Sequence, residues 1–271
     1  MSTAATAQSL RGAWWANRPG RLVRAGIGTG IFILAVELFT RAELVNPAYL
    51  PRLSDVLTES VMLLGDPSFR ADLWATVLAW AGGLSLTVLF AVPVGVILGS
   101  SALVYRVSWA IIEVMRPIPP VVLIPLAILL YGSGTQMKLV LVVFAACWPI
   151  LLNTIYGVHG VDKVARETAR SFGFPRVAIV GLVVVPSAAP FIMAGVRIAA
   201  SVALILVITA ELIGGGSDGL GVFMAVASAN SQSLQMYASA IIAGVLGLVV
   251  NLLIAALERR LFHWQPGLRE A

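Results

Sequence analysis

The sequence predicts an all-α membrane protein that crosses a bilayer several times. Hydrophobic residues make up 59% of the 271 residues and charged residues only 11%, whereas soluble domains have about 45–50% and about 25%. The apolar residues form long blocks, and about 20 of them suffice to cross the hydrocarbon layer as a helix. Leu, Val, Ile, Ala and Gly dominate these blocks without the period-2 alternation of a barrel strand. The chain is therefore predicted to be a polytopic helical membrane protein.

Six apolar blocks are long enough to cross the membrane as helices. Polar, Pro-containing or Gly-rich segments separate them. The predicted spans are residues 22–40, 76–100, 103–131, 138–158, 188–212 and 236–257. We therefore expect a single transmembrane domain over residues 21–264, between a flexible tail at residues 1–20 and a short tail at residues 265–271.

The basic residues predict how the spans are oriented. Most of the 18 Lys and Arg residues lie outside the spans or at their ends on one side of the membrane: Arg11, Arg18, Arg21, Arg24, Arg106, Lys163, Arg166, Arg170, Arg176, Arg259, Arg260 and Arg269. The opposite loops carry fewer: Arg41, Arg52, Arg70 and Lys138. Cytoplasmic loops have an excess of Lys and Arg, so both termini and the segment between spans four and five are expected in the cytoplasm. The net charge of +5 thus reflects topology, and no nucleic-acid partner is expected.

The loops on the predicted outer side differ from one another. In residues 41–75, apolar residues recur at helical spacing over 53–64, which predicts a short amphipathic helix lying on the outer surface. Residues 132–137 predict a tight Gly-containing turn. Residues 213–235 predict a Gly-rich loop, with Asp218 as its acidic residue and no basic residue.

The chain lacks the residue patterns of an ATPase or of another enzyme acting by itself. A phosphate-binding Walker loop needs Gly directly before Lys, but Lys138 and Lys163, the only lysines, follow Met137 and Asp162. Cys147 is the only cysteine, and the two histidines stand in no zinc-protease spacing. We therefore expect no catalytic residue, no metal site and no cofactor in this chain.

The most informative polar segment is ETARSFGFPRVAIVGLVVVP, residues 167–186, between spans four and five. A helix is predicted over 165–174, ended by Gly173 and Pro175. Four residues would then lie near one another along one face: Arg166, Ala169, Arg170 and Gly173. Small residues permit close backbone approach, and Glu167 and Arg170 can make charge-assisted contacts, so the segment is suited to bind a soluble protein. A helix that only rests on lipid headgroups is disfavoured by its thin apolar face.

This segment resembles the cytoplasmic signature loop of ATP-binding-cassette importer permeases. That pattern is Glu-Ala-Ala, three residues, Gly, nine residues, then Ile-x-Leu-Pro. Glu167, Ala169, Gly173 and Pro186 occupy its first, third, seventh and last positions. The departures are Thr168 for an alanine, and Val183 and Val185 for Ile and Leu. Other residues resemble the nitrate, alkanesulfonate, taurine and bicarbonate group of that superfamily: 116–120, 124–128, 153–154, 210–211 and 219–221, within a resemblance that covers 44–264.

The resemblance implies the type I importer fold and a division of roles between chains. The permease is expected to pair with a second copy of itself, two ATP-binding subunits and an extracytoplasmic substrate-binding protein, in a bacterial inner membrane. ATP and Mg²⁺ are expected on the ATPase. Residues expected to couple the permease to that ATPase are Arg166, Glu167, Ala169, Arg170, Gly173 and Pro186. The expected substrate is a small anion or a sulfonate-like solute, although the family also includes importers of neutral or aromatic vitamin precursors.

Charged residues inside predicted spans are expensive in a bilayer and are therefore candidates for function. They are Glu37, Glu113, Arg116 and Arg197. Glu113 and Arg116 are three residues apart, so we expect them to neutralise each other. The prolines at 117, 119 and 120 break this span, which is tolerated where the backbone is buried or lines a cavity. Arg197 either faces an anionic substrate or pairs with Glu211 or a neighbour; we expect the pairing. The residues assigned to a translocation path are Arg116, Pro119, Arg197 and Glu211.

Two other function classes fit the sequence less well. A proton-coupled secondary transporter would use Glu37, Glu113 and Glu211 as relays, but it leaves residues 167–186 without a role, and no inverted repeat is visible. An intramembrane enzyme would need a nucleophile with its base, or a metal-ligand cluster, and the sequence offers neither.

Overall fold

The computed structural model describes residues 18–262, and side chains from residue 23 onward. All regular structure in this range is helical. Most of the predicted tail at residues 1–20 and all of the tail at residues 265–271 lie outside the described residues. The helices are α1 (Arg18–Arg41), α2 (Leu53–Gly65), α3 (Pro67–Ser100), α4 (Ala102–Met115), α5 (Ile124–Tyr131), α6 (Thr135–His159), α7 (Lys163–Ser171), α8 (Arg176–Ile179), α9 (Val185–Gly214), α10 (Leu220–Ala229) and α11 (Ser233–Leu261). A 3₁₀ turn (Pro120–Leu123) precedes α5, and a π-helical segment (Val180–Val184) joins α8 to α9.

Five stretches of the described chain are long and apolar enough to cross a membrane. They are Val23–Arg41, Pro67–Ser100, Thr135–His159, Arg176–Gly214 and Ser233–Leu261, and each contains or overlaps a predicted span. The predicted span at 103–131 is instead two helical pieces, Ala102–Met115 and Pro120–Tyr131, that meet at 78°. Proline has no backbone N–H and its ring clashes with the preceding turn, so the prolines at 117, 119 and 120 account for the break.

The packing of α3 against α6 shows that the bent pair α4–α5 also crosses the bundle. Gly83, Gly95 and Gly99 of α3 pack against Val142, Thr154 and Val158 of α6, in the same order along both helices. The two helices therefore run parallel, and the chain must return between them through α4 and α5. We call the end where α3 and α6 finish the α7 end, and the opposite end the α2 end. Six crossings result, in agreement with the predicted fold class.

The centre of the bundle is α6, which packs closely along both α3 and α9. Small residues lie at their contacts: a Cβ atom at Gly195 of α9 would lie 2.8 Å from the Pro149 carbonyl oxygen of α6. Around these contacts lies a buried apolar cluster that includes Val142, Ile150 and Val207. Within a membrane, close approach of helix backbones through small residues is a principal source of helix association.

The predicted outer helix exists as α2, but it is a packed element rather than a helix resting on a surface. Val56 and Leu63 are buried, and the Ser60 hydroxyl lies 3.3 Å from the carbonyl oxygen of Ala238 at the start of α11. Glu37 of α1 fixes its entry, because the carboxylate accepts from the Ser54 backbone N–H at 3.0 Å and pairs with Arg41 at 2.6 Å. Glu37 thus has a structural explanation.

The junction between α2 and α3 is a side-chain cap. Asp66 accepts a hydrogen bond from the backbone N–H of Ser68 at 2.9 Å, and Pro67 occupies the first turn of α3. Proline at this position sacrifices no hydrogen bond, because the first N–H groups of a helix have no intrahelical acceptor. The hydrogen bond from Ser68 lowers the pKa of the Asp66 carboxyl below its ordinary value.

Candidate functional site

The polar segment between α6 and α9 folds into α7, a short helix with a defined cap at each end. Asp162 accepts from the backbone N–H of Val164 at 2.9 Å and so caps the first turn. At the other end, the Phe174 N–H donates to Ala169 O at 3.2 Å and the Gly173 N–H donates to Arg170 O at 2.9 Å. This is the Schellman arrangement, in which glycine adopts a left-handed conformation, and Gly173 has φ +80°.

The helix is therefore placed differently from the predicted range of 165–174. It begins at Lys163 and ends at Ser171, so Gly173 lies beyond it rather than on a shared face with Arg166 and Arg170. A Cβ atom at Gly173 would meet no atom within 4 Å. Glycine is required here because of the backbone conformation, and a side chain at this position would act first by straining the turn.

The coupling residues predicted on α7 divide into two sets. Arg166 and Ala169 are half-buried and face the bundle: the Arg166 guanidinium donates to the Val158 carbonyl oxygen, and Ala169 packs on the apolar cluster around Val158 and Ile179. Glu167 and Arg170 are exposed. The first set attaches the helix to the ends of the spans, and the second leaves an acidic and a basic group free for a partner.

Large apolar side chains stand beside these free charges. Phe172 is 78% exposed and Val177 is 84% exposed, and Val164 and Phe174 are also exposed. We call Val164, Glu167, Arg170, Phe172, Phe174 and Val177 the α7 surface. An exposed apolar patch rimmed by charges is typical of a protein interaction site.

Pro186, the last residue of the signature pattern, lies in the first turn of α9, directly after the π-helical segment. A proline is compatible with the first turn of a helix, and π-helical turns are frequent at functional sites. Pro186 therefore lies inside the apolar stretch Arg176–Gly214, in the first turn of α9, and is not part of the α7 surface.

Arg116 and Pro119 lie in the break between α4 and α5. Both are exposed, and no ion pair joins Arg116 to Glu113 among residues 23–262. The prediction that these two charges neutralise each other is therefore wrong. Arg116 is the C-cap of α4 and its N–H still donates to the Ile112 carbonyl oxygen at 3.0 Å, so the helical spacing persists although the two side chains form no ion pair.

Arg197 pairs with α11 rather than with Glu211. Its Nε donates to the Asn251 side-chain oxygen at 3.0 Å, and its guanidinium lies 3.6 Å from the Glu258 carboxylate. Arg197 is half exposed while Glu258 is mostly buried. The expected structural pairing is present, with Glu258 as the neighbour, and α9 and α11 are joined near the α7 end.

Glu211 is the centre of a buried polar cluster at the α2 end. Its carboxylate is fully buried and lies 2.9 Å from the Lys138 ammonium group of α6. It also accepts from the Thr76 hydroxyl of α3 at 2.8 Å and from the Gly221 backbone N–H at 3.0 Å. Three spans and the first turn of α10 thus meet at one side chain.

The same cluster fixes the start of α10. Thr76 accepts from the Leu220 N–H at 2.8 Å, and Asp72 accepts from the Gly219 N–H at 3.0 Å. Free N–H groups at a helix N-terminus attract negative charge, so the carboxylates of Asp72 and Glu211 act as caps supplied by other helices. A Cβ atom at Gly219 would lie 2.4 Å from the Glu211 carboxyl carbon, which explains the glycine.

Lys138 and Thr76 were missed as site residues. The sequence predicts that Lys138 lies in a loop. In the structure Lys138 is buried, and its ammonium group also donates a hydrogen bond to the Asp218 carbonyl oxygen at 2.9 Å. Its position inside an apolar block was a usable signal, since an intramembrane charge is rare without a partner. The helix α10 also replaces part of what was predicted as loop 213–235.

Comparisons with known proteins identify the family of this chain. The family model of the binding-protein-dependent transport system inner membrane component matches residues 91–263. The taurine transport system permease protein TauC of Escherichia coli is 31% identical over 250 residues, covering 90% of each chain. The nitrate import permease protein NrtB of Leptolyngbya laminosa is 25% identical over 254 residues, covering 89% of each chain.

A solved structure shares the fold. The inward-facing MetNI methionine ABC transporter superposes with a TM-score of 0.61 and 21% sequence identity, over 75% of this chain and 98% of that one. At this identity the likeness concerns the fold alone. The family match and the relatives, rather than this structure, carry the assignment of the chain.

Proposed function

The chain belongs to the family of binding-protein-dependent transport system inner membrane components, and we propose a mechanism and a substrate class for it on that basis. It is an ABC importer permease subunit of the taurine, nitrate and sulfonate group. The single observation that carries the proposed mechanism is the α7 surface. Exposed charged groups lie there on a helix that is anchored to the end of α6, and exposed aromatic groups follow directly after that helix.

We assign the α7 surface to the ATP-hydrolysing partner. Phe172 and Val177 would insert into an apolar groove, while Glu167 and Arg170 make charge-assisted contacts at its rim. Arg166 and Ala169 would transmit the movement, because they attach α7 to α6 and to the segment leading into α9. ATP and Mg²⁺ belong to that partner.

We further propose that the complete importer contains two copies of this permease, two ATPase subunits and a substrate-binding protein outside the membrane. A second copy would cover apolar faces such as the groove of about 480 Å³ between α9 and α11, lined by Leu204, Ile208 and Gly247. The substrate is proposed to be a small anion or a sulfonate-like solute, as the names of the taurine and nitrate relatives suggest. A neutral or aromatic vitamin precursor is the alternative.

The proton-relay alternative is weakened because two of its three proposed relay residues, Glu37 and Glu211, have structural partners. Glu37 is paired with Arg41 and with the Ser54 N–H. Glu211 is sealed between Lys138, Thr76 and Gly221. A relay must exchange protons with water on both sides, and these contacts instead hold helices together.

The coupling proposal predicts that reversing one exposed charge on α7 separates the permease from its ATPase. Glu167→Arg should lower both co-purification of the cognate ATPase and substrate uptake by about tenfold or more, because a charge that met an opposite charge now meets a like one. The amount of permease in the membrane should not change, since Glu167 is exposed.

Asp55→Arg is the matched control for this experiment. Asp55 is an exposed acidic residue on α2, at the opposite end of the bundle, and its reversal should leave ATPase association at the wild-type level. The coupling assignment is wrong if Glu167→Arg retains normal association and normal uptake, or if both variants lose association equally.

The proposed orientation places α7 in the cytoplasm and the loop before α10 outside. Single cysteines at Ser171 and Ser217, introduced after Cys147→Ala, should therefore label differently with a membrane-impermeant thiol reagent. Both positions are exposed, so accessibility is set by the membrane alone. Ser217→Cys should react in intact cells and Ser171→Cys only after lysis; the reverse pattern would refute the orientation.

A further inference from the structure

A cavity at the α7 end is lined by three arginines. Arg166 and Arg170 come from α7 and Arg176 is the first residue of α8, and together with Ser100 and Ser101 they surround a volume of about 410 Å³. The remaining wall is apolar and consists of Ile179, Val180 and Val184. Basic, hydroxyl and hydrocarbon groups therefore share one cavity.

The positive charge of this cavity is not neutralised by the protein. No acidic residue lines it, and none of the ion pairs found among residues 23–262 involves any of its three arginines. The Nε of Arg166 is buried and has no hydrogen-bond acceptor within the described chain. A buried donor without an acceptor is unfavourable, and an anion that entered the cavity would neutralise the charge of the same guanidinium group.

The geometry of the lining groups favours a phosphate. The planar fork of a guanidinium group matches the oxygens of a phosphate, and such charge-assisted bonds are stronger than neutral ones. Ser101 is also the N-cap of α4, so the positive end of that helix dipole adds to the field at this wall.

The location favours a phosphate that carries a hydrocarbon chain. The cavity lies where α3 ends at Ser100 and where the segment leading into α9 begins at Arg176, so it lies at the ends of two stretches that are long and apolar enough to cross the membrane. Anionic lipid headgroups lie at the same level and attract clustered Arg residues. The apolar wall at Ile179, Val180 and Val184 would then contact the start of an acyl chain.

We propose that this cavity binds the phosphate of an anionic phospholipid, held by Arg166, Arg170 and Arg176. Bound there, the lipid would bridge α7 and α8, the two helices that follow one another between α6 and α9. The proposal concerns a site separate from the α7 surface, although Arg170 borders both.

Native mass spectrometry of the full chain in detergent tests this proposal. The probes are a short-chain phosphatidylglycerol, a short-chain phosphatidylcholine and inorganic phosphate. We expect one saturable phosphatidylglycerol site per chain, with weaker binding of the zwitterionic lipid. Arg176→Gln should lower the phosphatidylglycerol affinity by about tenfold, and Arg176→Lys should have an intermediate effect, because a point charge replaces the planar fork.

Arg260→Gln is the matched control, since Arg260 is an exposed arginine in the last turn of α11 and does not line the cavity. It should retain wild-type affinity. If inorganic phosphate bound as tightly as the lipid, the ligand of this cavity would be a soluble phosphate rather than a phospholipid. Unchanged lipid affinity in Arg176→Gln, or an equal loss in Arg260→Gln, would overturn the site.

Discussion

Replacing Lys138 by Met is expected to destabilise the membrane domain by about 3–5 kcal/mol, because it leaves the fully buried Glu211 carboxylate without its counter-charge. The Thr76 hydroxyl and the Gly221 N–H would still donate to that carboxylate, but two neutral donors do not replace an ammonium group at 2.9 Å. The measurement is the thermal unfolding midpoint of the purified chain in detergent, together with the folded fraction in the membrane.

The other lysine of the chain supplies the matched control. Lys163 is exposed on α7, so Lys163→Met should leave the unfolding midpoint near that of the wild type. The double variant Lys138→Met with Glu211→Leu should recover part of the lost stability, since it removes the uncompensated charge as well. If Lys138→Met and Lys163→Met unfold at the same temperature, the buried pair is not what stabilises this end of the bundle.

Gly195→Ala is expected to destabilise the bundle by about 1–3 kcal/mol through overpacking. The added Cβ would lie 2.8 Å from the Pro149 carbonyl oxygen, 2.8 Å from the Asn153 Cβ and 3.2 Å from the Ile150 Cα. Two of these are backbone atoms of α6, so no side-chain rotation can relieve the contact. The helices α6 and α9 would have to separate, and the unfolding midpoint in detergent should fall.

Gly28→Ala is the matched control, because it makes the same chemical change at a position where we expect no loss of stability. A Cβ at Gly28 of α1 would meet no atom within 4 Å, and alanine favours helix over glycine by about 1 kcal/mol. Its unfolding midpoint should equal or exceed that of the wild type. Equal effects of the two substitutions would show that helix propensity, rather than close packing of α9 on α6, decides the outcome at Gly195.

The sequence was sufficient for the fold class and for the family, because both depend on features local to the chain. Apolar block length predicts spans directly, and the spacing from Glu167 to Pro186 lies within a single segment. The residues that cap α7 are also close to one another in sequence. The predicted helix nevertheless included Gly173, whereas the structure places this glycine beyond the helix with φ +80°.

The polar contacts between spans could not be predicted in the same way. The Lys138–Glu211 pair and the Arg197–Glu258 pair join different helices, so they depend on helix rotation and depth, which apolar composition does not encode. At Glu113 and Arg116, by contrast, the spacing led us to predict an ion pair that the structure does not contain. Arg116 still follows helical geometry as the C-cap of α4, so spacing along a helix permits an ion pair but does not ensure one.

The Lys138–Glu211 pair also determines when, during synthesis, the α2 end of the bundle can close. Glu211 of α9 follows both Thr76 of α3 and Lys138 of α6 in the chain, so α3 and α6 leave the ribosome before α9 exists. Until then, the Lys138 ammonium must stay in contact with water or headgroups, because a lone charge in hydrocarbon is costly. During biogenesis, the α2 end of the nascent bundle should therefore stay hydrated, and it should close only when α9 is inserted.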